Sequence, residues 1–293
     1  MIDLLRADLL RLRHRGDLWV GVGAVLVLVV LGYVTSANNA NQVNFGFPSD
    51  QPIPPDVLEQ FARQRDPYTF PLSIVTTVQT GGGIVAAVMA FIAAAWLGTE
   101  FLWGTIRQLA LIRPDRWRVV VSRTIVCALL GAVLVGVLIV LGTVLPVVVP
   151  LAGSGHAPTV TVGAIAAGAA VQWVTVVAVI GVALTFTALT RSSSLGIVFS
   201  VVFFIADSAL ASNPAWLTSE VLLWVPRLML GERLRALQTD VQVAFGPADP
   251  NGYVPPVTPL TLAAPLGLAI IAAWLVVLAI LPCLIVRRAD IRE

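Results

Sequence analysis

A chain of 293 residues in which 58% are hydrophobic and 12% charged, with a mean hydropathy of +0.91, carries more apolar surface than a soluble domain hides from water. It reads as an all-α integral membrane protein. All 18 cationic residues are arginine, and the phosphate-cradling G-x-x-x-x-G-K-S/T loop requires a lysine, so a standard P-loop is excluded and any ATP-driven step belongs to another polypeptide.

At the N-terminus, residues 1–17 place Ile2, Leu5, Leu9 and Leu12 at helical spacing, with arginines and aspartates around most of the remaining circumference. The pattern predicts an amphipathic helix in the membrane interface, the plainer alternative being a charged leader that orients the first span. Residues 18–293 then form one transmembrane domain. A hydrocarbon core of about 30 Å needs about 20 apolar residues of helix. Six runs qualify, at about 18–34, 72–97, 119–149, 159–189, 194–211 and 262–286. The first exceeds the usual signal-peptide length and follows Asp3, Asp8 and Asp17, so it reads as an anchored span.

Between the spans, 36–71 is rich in proline and polar turns flanking one short helix near Val57 to Arg65. Residues 213–259 begin with an apolar stretch that Pro214 and Pro226 break too often to cross, so it is expected to lie in or dip into the interface. After the second span, residues 99–112 set Leu102, Ile106 and Leu109 at helical spacing, and Pro114 ends the pattern by restricting Arg113. Arginines cluster before the first span, around 107–123, at Arg191 and at Arg287, Arg288 and Arg292. Only Arg63, Arg65, Arg227, Arg233 and Arg235 remain for the opposite side, so the positive-inside rule makes both termini cytoplasmic and both long inter-span segments external.

The order Glu100, Gly104-Thr105, Arg107, a Leu-rich turn, Arg113-Pro114 and Arg116 resembles the segment after the second span of ABC type 2 permeases, the transmembrane subunits of bacterial exporters whose ATPase is a separate chain. The layout is similar too: an interfacial N-terminal helix, six spans, a small external domain after the first and broken external helices before the sixth. The resemblance implies that 99–112 is a coupling helix, with Glu100, Phe101, Gly104, Thr105 and Arg107 meeting an ABC ATPase subunit. It also implies ATP and magnesium in that partner and no cofactor in this chain, a second permease copy or paralogue, and a bacterial plasma membrane location. No nucleic acid partner is expected. Where the family often has lysine near the start of the third span, this chain has Arg123, which keeps the charge.

Asp207 is the one carboxylate well inside an apolar run. It either contacts a transported molecule or caps the "SALASN" turn that follows. Glu100 stands at a span boundary, where coupling or an ion pair fits better than proton transfer. Catalysis in this chain is not expected. His14 and His156 stand in different loops and there is no H-E-x-x-H, which argues against a zinc site; Ser154 and His156 share one turn rather than a triad; and Asp207 has no intramembrane aspartate partner. Cys127 and Cys283 read as small apolar residues. Gly131, Gly136, Gly142, Gly163, Gly168 and Gly181 suit close helix packing within or between subunits. Two other classes stay open: an ion-gradient transporter with Asp207 as its ion site, and a non-transporting membrane scaffold.

Overall fold

The computed structural model describes residues 2–14, 16–41, 55–102, 117–153, 160–211, 223–245 and 264–288. Among them there is no strand, and six helices are long and apolar enough to cross a membrane: α2 (Gly16–Asn41), α4 (Leu72–Leu102), α5 (Trp117–Val148), α6 (Val162–Thr190), α7 (Ser193–Ala211) and α10 (Ala264–Arg288). Four shorter α-helices, α1 (Ile2–Arg13), α3 (Pro55–Arg65), α8 (Trp224–Leu228) and α9 (Leu230–Phe245), and a 3-10 turn at Asp66–Tyr68 accompany them among the described residues. The protein is an all-α, multi-pass membrane protein, with the spans where the apolar run lengths put them.

The helix α4 occupies the centre, packed by α2, α5, α6 and α7. In its most apolar window 67% of residues are buried, against 17% in α7, so α4 is the shaft of the bundle and α7 faces its surroundings. Small residues let the neighbours close on that shaft. A Cβ at Gly142 of α5 would stand 2.6 Å from the Ile74 Cα, and the Ser73 hydroxyl donates to the Gly142 carbonyl at 2.7 Å, so α4 and α5 meet backbone to backbone. Replacing Gly142 with alanine is expected to lower stability by about 1–3 kcal/mol through overpacking. Gly136 has nothing within 4 Å of a built Cβ, so Gly136→Ala should be neutral or slightly stabilising, and thermal unfolding of the two variants in detergent checks the contrast. Gly131 and Gly181 likewise pack inside the bundle, on Val176 and Leu278, whereas Gly168 is as open as Gly136.

Span ends follow local chemistry rather than apolar length alone. α2 runs on to Asn41 because its polar last turns are held: Thr35 Oγ1 donates back to the Leu31 carbonyl at 2.8 Å, and Tyr33 and Ala37 pack on Leu145. The Tyr33 hydroxyl donates to the Tyr68 carbonyl at 2.6 Å, tying α2 to the turn after α3. α6 stops at Arg191, whose left-handed backbone (φ 54) lets its N–H reach the Thr187 carbonyl at 2.8 Å, and α7 begins two residues later.

α1 packs on α5, with a different face inward from the one its leucines suggest. Leu12 is buried and Leu5 packs on the core, but Leu9 is 47% exposed and Asp8 is buried instead, accepting a hydrogen bond from the Ser122 hydroxyl at 2.6 Å. One strong acceptor satisfied by a hydroxyl on α5 turns the helix toward Asp8.

The segment before the last span is broken into two helices, but not at the proline expected to break it. Pro226 lies in the first turn of α8, where no amide is needed, and the break falls at Met229, whose backbone is extended (ψ 137). α9 then starts inside the bundle: Leu230 and Leu234 are buried against Ala178, Val182, Ile271 and Leu278, at mid-length of α6 and α10.

Candidate functional site

A helix that begins inside an apolar bundle has first-turn amides with no water to bond. Here a neighbouring span supplies the acceptor. Asp207 of α7 is 7% exposed, and its Oδ2 accepts from the Gly231 amide of α9 at 2.8 Å. The carboxylate stands at the positive end of the α9 dipole, the position an N-cap side chain normally fills, but it comes from 24 residues away. Gly231 is required by the same contact, because a Cβ there would collide with the Asp207 carboxylate. On the other side of the break, the Trp274 indole of α10 donates to the Leu228 carbonyl of α8 at 2.8 Å. The tip is thus held by two side chains, one at each helix end. Asp207 therefore caps α9.

Further polar groups line α9 where it passes α6. Gln238 donates toward Gln172 Oε1 and Thr175 Oγ1, each at 3.4 Å. Gln172 is 4% exposed, its amide lies over Gly82 of α4, where a Cβ would overlap it, and its Nε2 has no hydrogen-bond partner among the described residues. Arg233 is buried as well. Burial chiefly lowers its pKa, Arg227 adds to the fall, and Glu232 and Asp240 oppose it. Arg235 points outward instead, reaching Ser208 Oγ at 3.2 Å and Glu232 at 3.5 Å.

Between α4, α6, α7 and α9 lies an open cavity of about 750 Å³, within the size range of small-molecule sites. Its walls are small or apolar, from Gly83, Ala86 and Ala90 of α4 to Val201 and Phe204 of α7. Its polar groups gather mostly toward α9, at Asp207, Ser208, Arg235, Gln238 and Thr175. An apolar wall with convergent polar groups at one end is what a site for a two-ended molecule requires.

A second polar cluster sits where α4 ends. The Glu100 carboxylate pairs with the Arg123 guanidinium of α5, which also lies 5.4 Å from the Trp96 ring centroid. Arg123 is 1% exposed and Glu100 8%. Glu100 Oε2 and Arg123 Nε and Nη1 have no hydrogen-bond partners among the described residues. A buried pair satisfied on one side only fixes α4 to α5 without much net stabilisation, because desolvation offsets most of the attraction.

The residues expected to couple to a partner are thus divided. Glu100 and Phe101 are the last turn of α4, with Phe101 half-buried against the core and Glu100 turned inward to Arg123 rather than outward. Gly104, Thr105 and Arg107, with the rest of the expected 99–112 helix after Leu102, lie outside the described residues. Sequence reasoning missed Asp8, Gln172 and Gln238. A glutamine inside "AAVQWVTVV" was the available signal for Gln172, since a polar side chain in a span needs a partner. Among the described residues no group of three or more His, Cys, Asp or Glu side chains is placed to hold a metal ion. No protein-family model, curated protein or solved structure matches the chain.

Proposed function

We propose that this protein is the permease subunit of an ATP-driven exporter of the ABC type 2 kind, forming the membrane path and taking its energy from a separate ATPase chain. The observation that carries the reading is the segment from Glu100 through Gly104-Thr105 and Arg107 to Arg116, which resembles that family's coupling segment. The six apolar helices, the N-terminal helix packed on α5 and the broken helices before α10 support it, being the family's layout. The absence of lysine, and with it of a P-loop, from these 293 residues fits a permease whose ATPase is a separate chain. In this reading both termini and the 103–116 segment face the cytoplasm of a bacterial cell, two permease chains assemble with two ATPases, and ATP-driven closure biases the spans between inward and outward access.

The burial of Glu100 refines its role. In the coupled assembly it holds the end of α4 to α5 through Arg123, so that a push on the following segment moves both helices. Contact with the ATPase then falls to Thr105 and Arg107. Thr105→Ala combined with Arg107→Ala is expected to leave the permease folded and ATP hydrolysis by the partner intact while transport falls at least about tenfold, a loss of roughly 1.4 kcal/mol of coupling. Transport at the wild-type rate in proteoliposomes would remove the assignment.

A further inference from the structure

We propose that the groove between α4, α7 and α9 selects an uncharged amphiphile, one hydrocarbon chain with a hydroxyl-bearing head, and that the pair of Glu232 and Arg235 at its polar end turns charged heads away. The inference names the class of molecule the path accepts, and it rests on the transport reading only for that molecule being cargo.

Small residues make the space. Gly83, Ala86, Ala87 and Ala90 recur at helical spacing on one face of α4, which therefore carries no side chain longer than a methyl. α7 meets α4 at Ser193, where a Cβ on Gly98 would stand 2.5 Å from the Ser193 amide nitrogen, and further along the two helices leave the cavity between them. That cavity follows α7 from Ile197 to Ala209, roughly 18 Å at about 1.5 Å of rise per residue. One leaflet is about half of a 30 Å hydrocarbon core, so the groove matches the length of one chain. Its side is open, with Val201 53% and Ile205 63% exposed, so a chain enters from the hydrocarbon without crossing water.

Six polar side chains line the groove, and each already has a partner inside the protein. Thr175 donates to the Val171 carbonyl and Ser200 to that of Gly196, both within their own helices. Asp207 accepts from the Gly231 amide, and Gln238 donates toward Gln172 and Thr175. Arg235 donates to Ser208 and pairs with Glu232. The lining thus offers a guest no ion in want of a counter-ion. A charged head would leave water without compensation or would have to break the Glu232 and Arg235 pair, whereas an uncharged head gives up only hydrogen bonds that neighbouring oxygen lone pairs restore. The Arg235 side chain is 61% exposed and that of Glu232 14%, so the pair stands at the mouth, where the head arrives.

The test uses the full-length permease purified without any ATPase and three probes of one acyl chain: oleoylglycerol as the uncharged amphiphile, oleoyl lysophosphatidylglycerol as the anion and oleoylcholine as the cation. Native mass spectrometry reads their binding. The uncharged probe is expected to bind at least about tenfold more tightly than either charged one. Glu232→Gln leaves Arg235 without its counter-ion and should raise affinity for the anionic probe at least about tenfold, with little change for the uncharged one. Arg235→Gln should do the same for the cationic probe. Gly83→Leu, where a Cβ meets nothing within 4 Å, and Ile205→Trp on the opposite wall fill the groove and should weaken all three probes without changing elution or melting. A charged probe bound by the parent as tightly as the uncharged one, no gain in either charge variant, or binding unchanged in both filling variants overturns the proposal. So does binding to monomers alone in a sample that also holds dimers, since the groove would then be a seam between copies. Because no ATPase takes part, loss of the coupling assignment would leave these results standing, and the reverse also holds.

Discussion

Replacing Asp207 with alanine is expected to destabilise the protein by about 1–3 kcal/mol, the cost of losing the cap and leaving the Gly231 amide without an acceptor inside the bundle. Asp207→Asn should cost about 1 kcal/mol or less, because asparagine caps a helix as well as aspartate does. Its side-chain oxygen can still accept from Gly231. Unfolding in detergent measures both. The pair of variants also separates two functions for this carboxylate. An ion or proton site in a gradient-driven transporter requires the ionisable group, so Asp207→Asn would abolish transport. A cap requires only the acceptor, so transport survives. The geometry favours the cap, since Gly231 has no room for a side chain against Asp207 and Trp274 closes the other side of the same break.

The second large effect is expected at the pair of Glu100 and Arg123. Removing either partner alone, as Glu100→Ala or Arg123→Ala, leaves a buried charge without its counter-ion and should cost about 3–5 kcal/mol. That is a large fraction of a typical stability of about 5–15 kcal/mol, so both single variants should accumulate poorly. The double replacement Glu100→Leu with Arg123→Met is expected to return to within about 1 kcal/mol of the parent, because it removes the unsatisfied Oε2, Nε and Nη1 atoms together with the charges. A double-mutant cycle closed with the single replacements Glu100→Leu and Arg123→Met, read on melting temperature, measures the coupling between the two positions. If Glu100→Ala left stability untouched, Glu100 would be an outward contact residue rather than the fastening between α4 and α5.

Both effects involve pairs that only the folded chain brings together, and this marks what was legible beforehand. The six spans followed from apolar run length, and the separation of α6 from α7 from the polar "TRSSS" after a full-length run. These are local properties. The α8–α9 tip was visible only as a stretch too broken to span, and Pro226 drew attention away from Met229, because the position of a proline within its helix decides whether it breaks anything. Asp207 stood out as a carboxylate in an apolar run, but its partner is an amide of another helix, which no spacing rule announces. Asp8 was hidden for the same reason: on a helical wheel it belongs to the charged face, and only Ser122 of α5 turns it inward. The position of Glu100 at a span boundary suits a coupling or ion-pair role, and the ion pair forms, but spacing does not name Arg123, a basic flank of the next span, as its partner.

The central claim is that this chain is moved by an ATPase it does not contain. The most direct measurement is purification of the tagged permease from its native membrane in mild detergent, followed by native mass spectrometry and ATP hydrolysis on the same sample. The account predicts an ATP-hydrolysing partner in one-to-one ratio with the permease, retained through purification. A permease that elutes with no ATPase, yet drives uptake from an ion gradient when reconstituted alone, would contradict it.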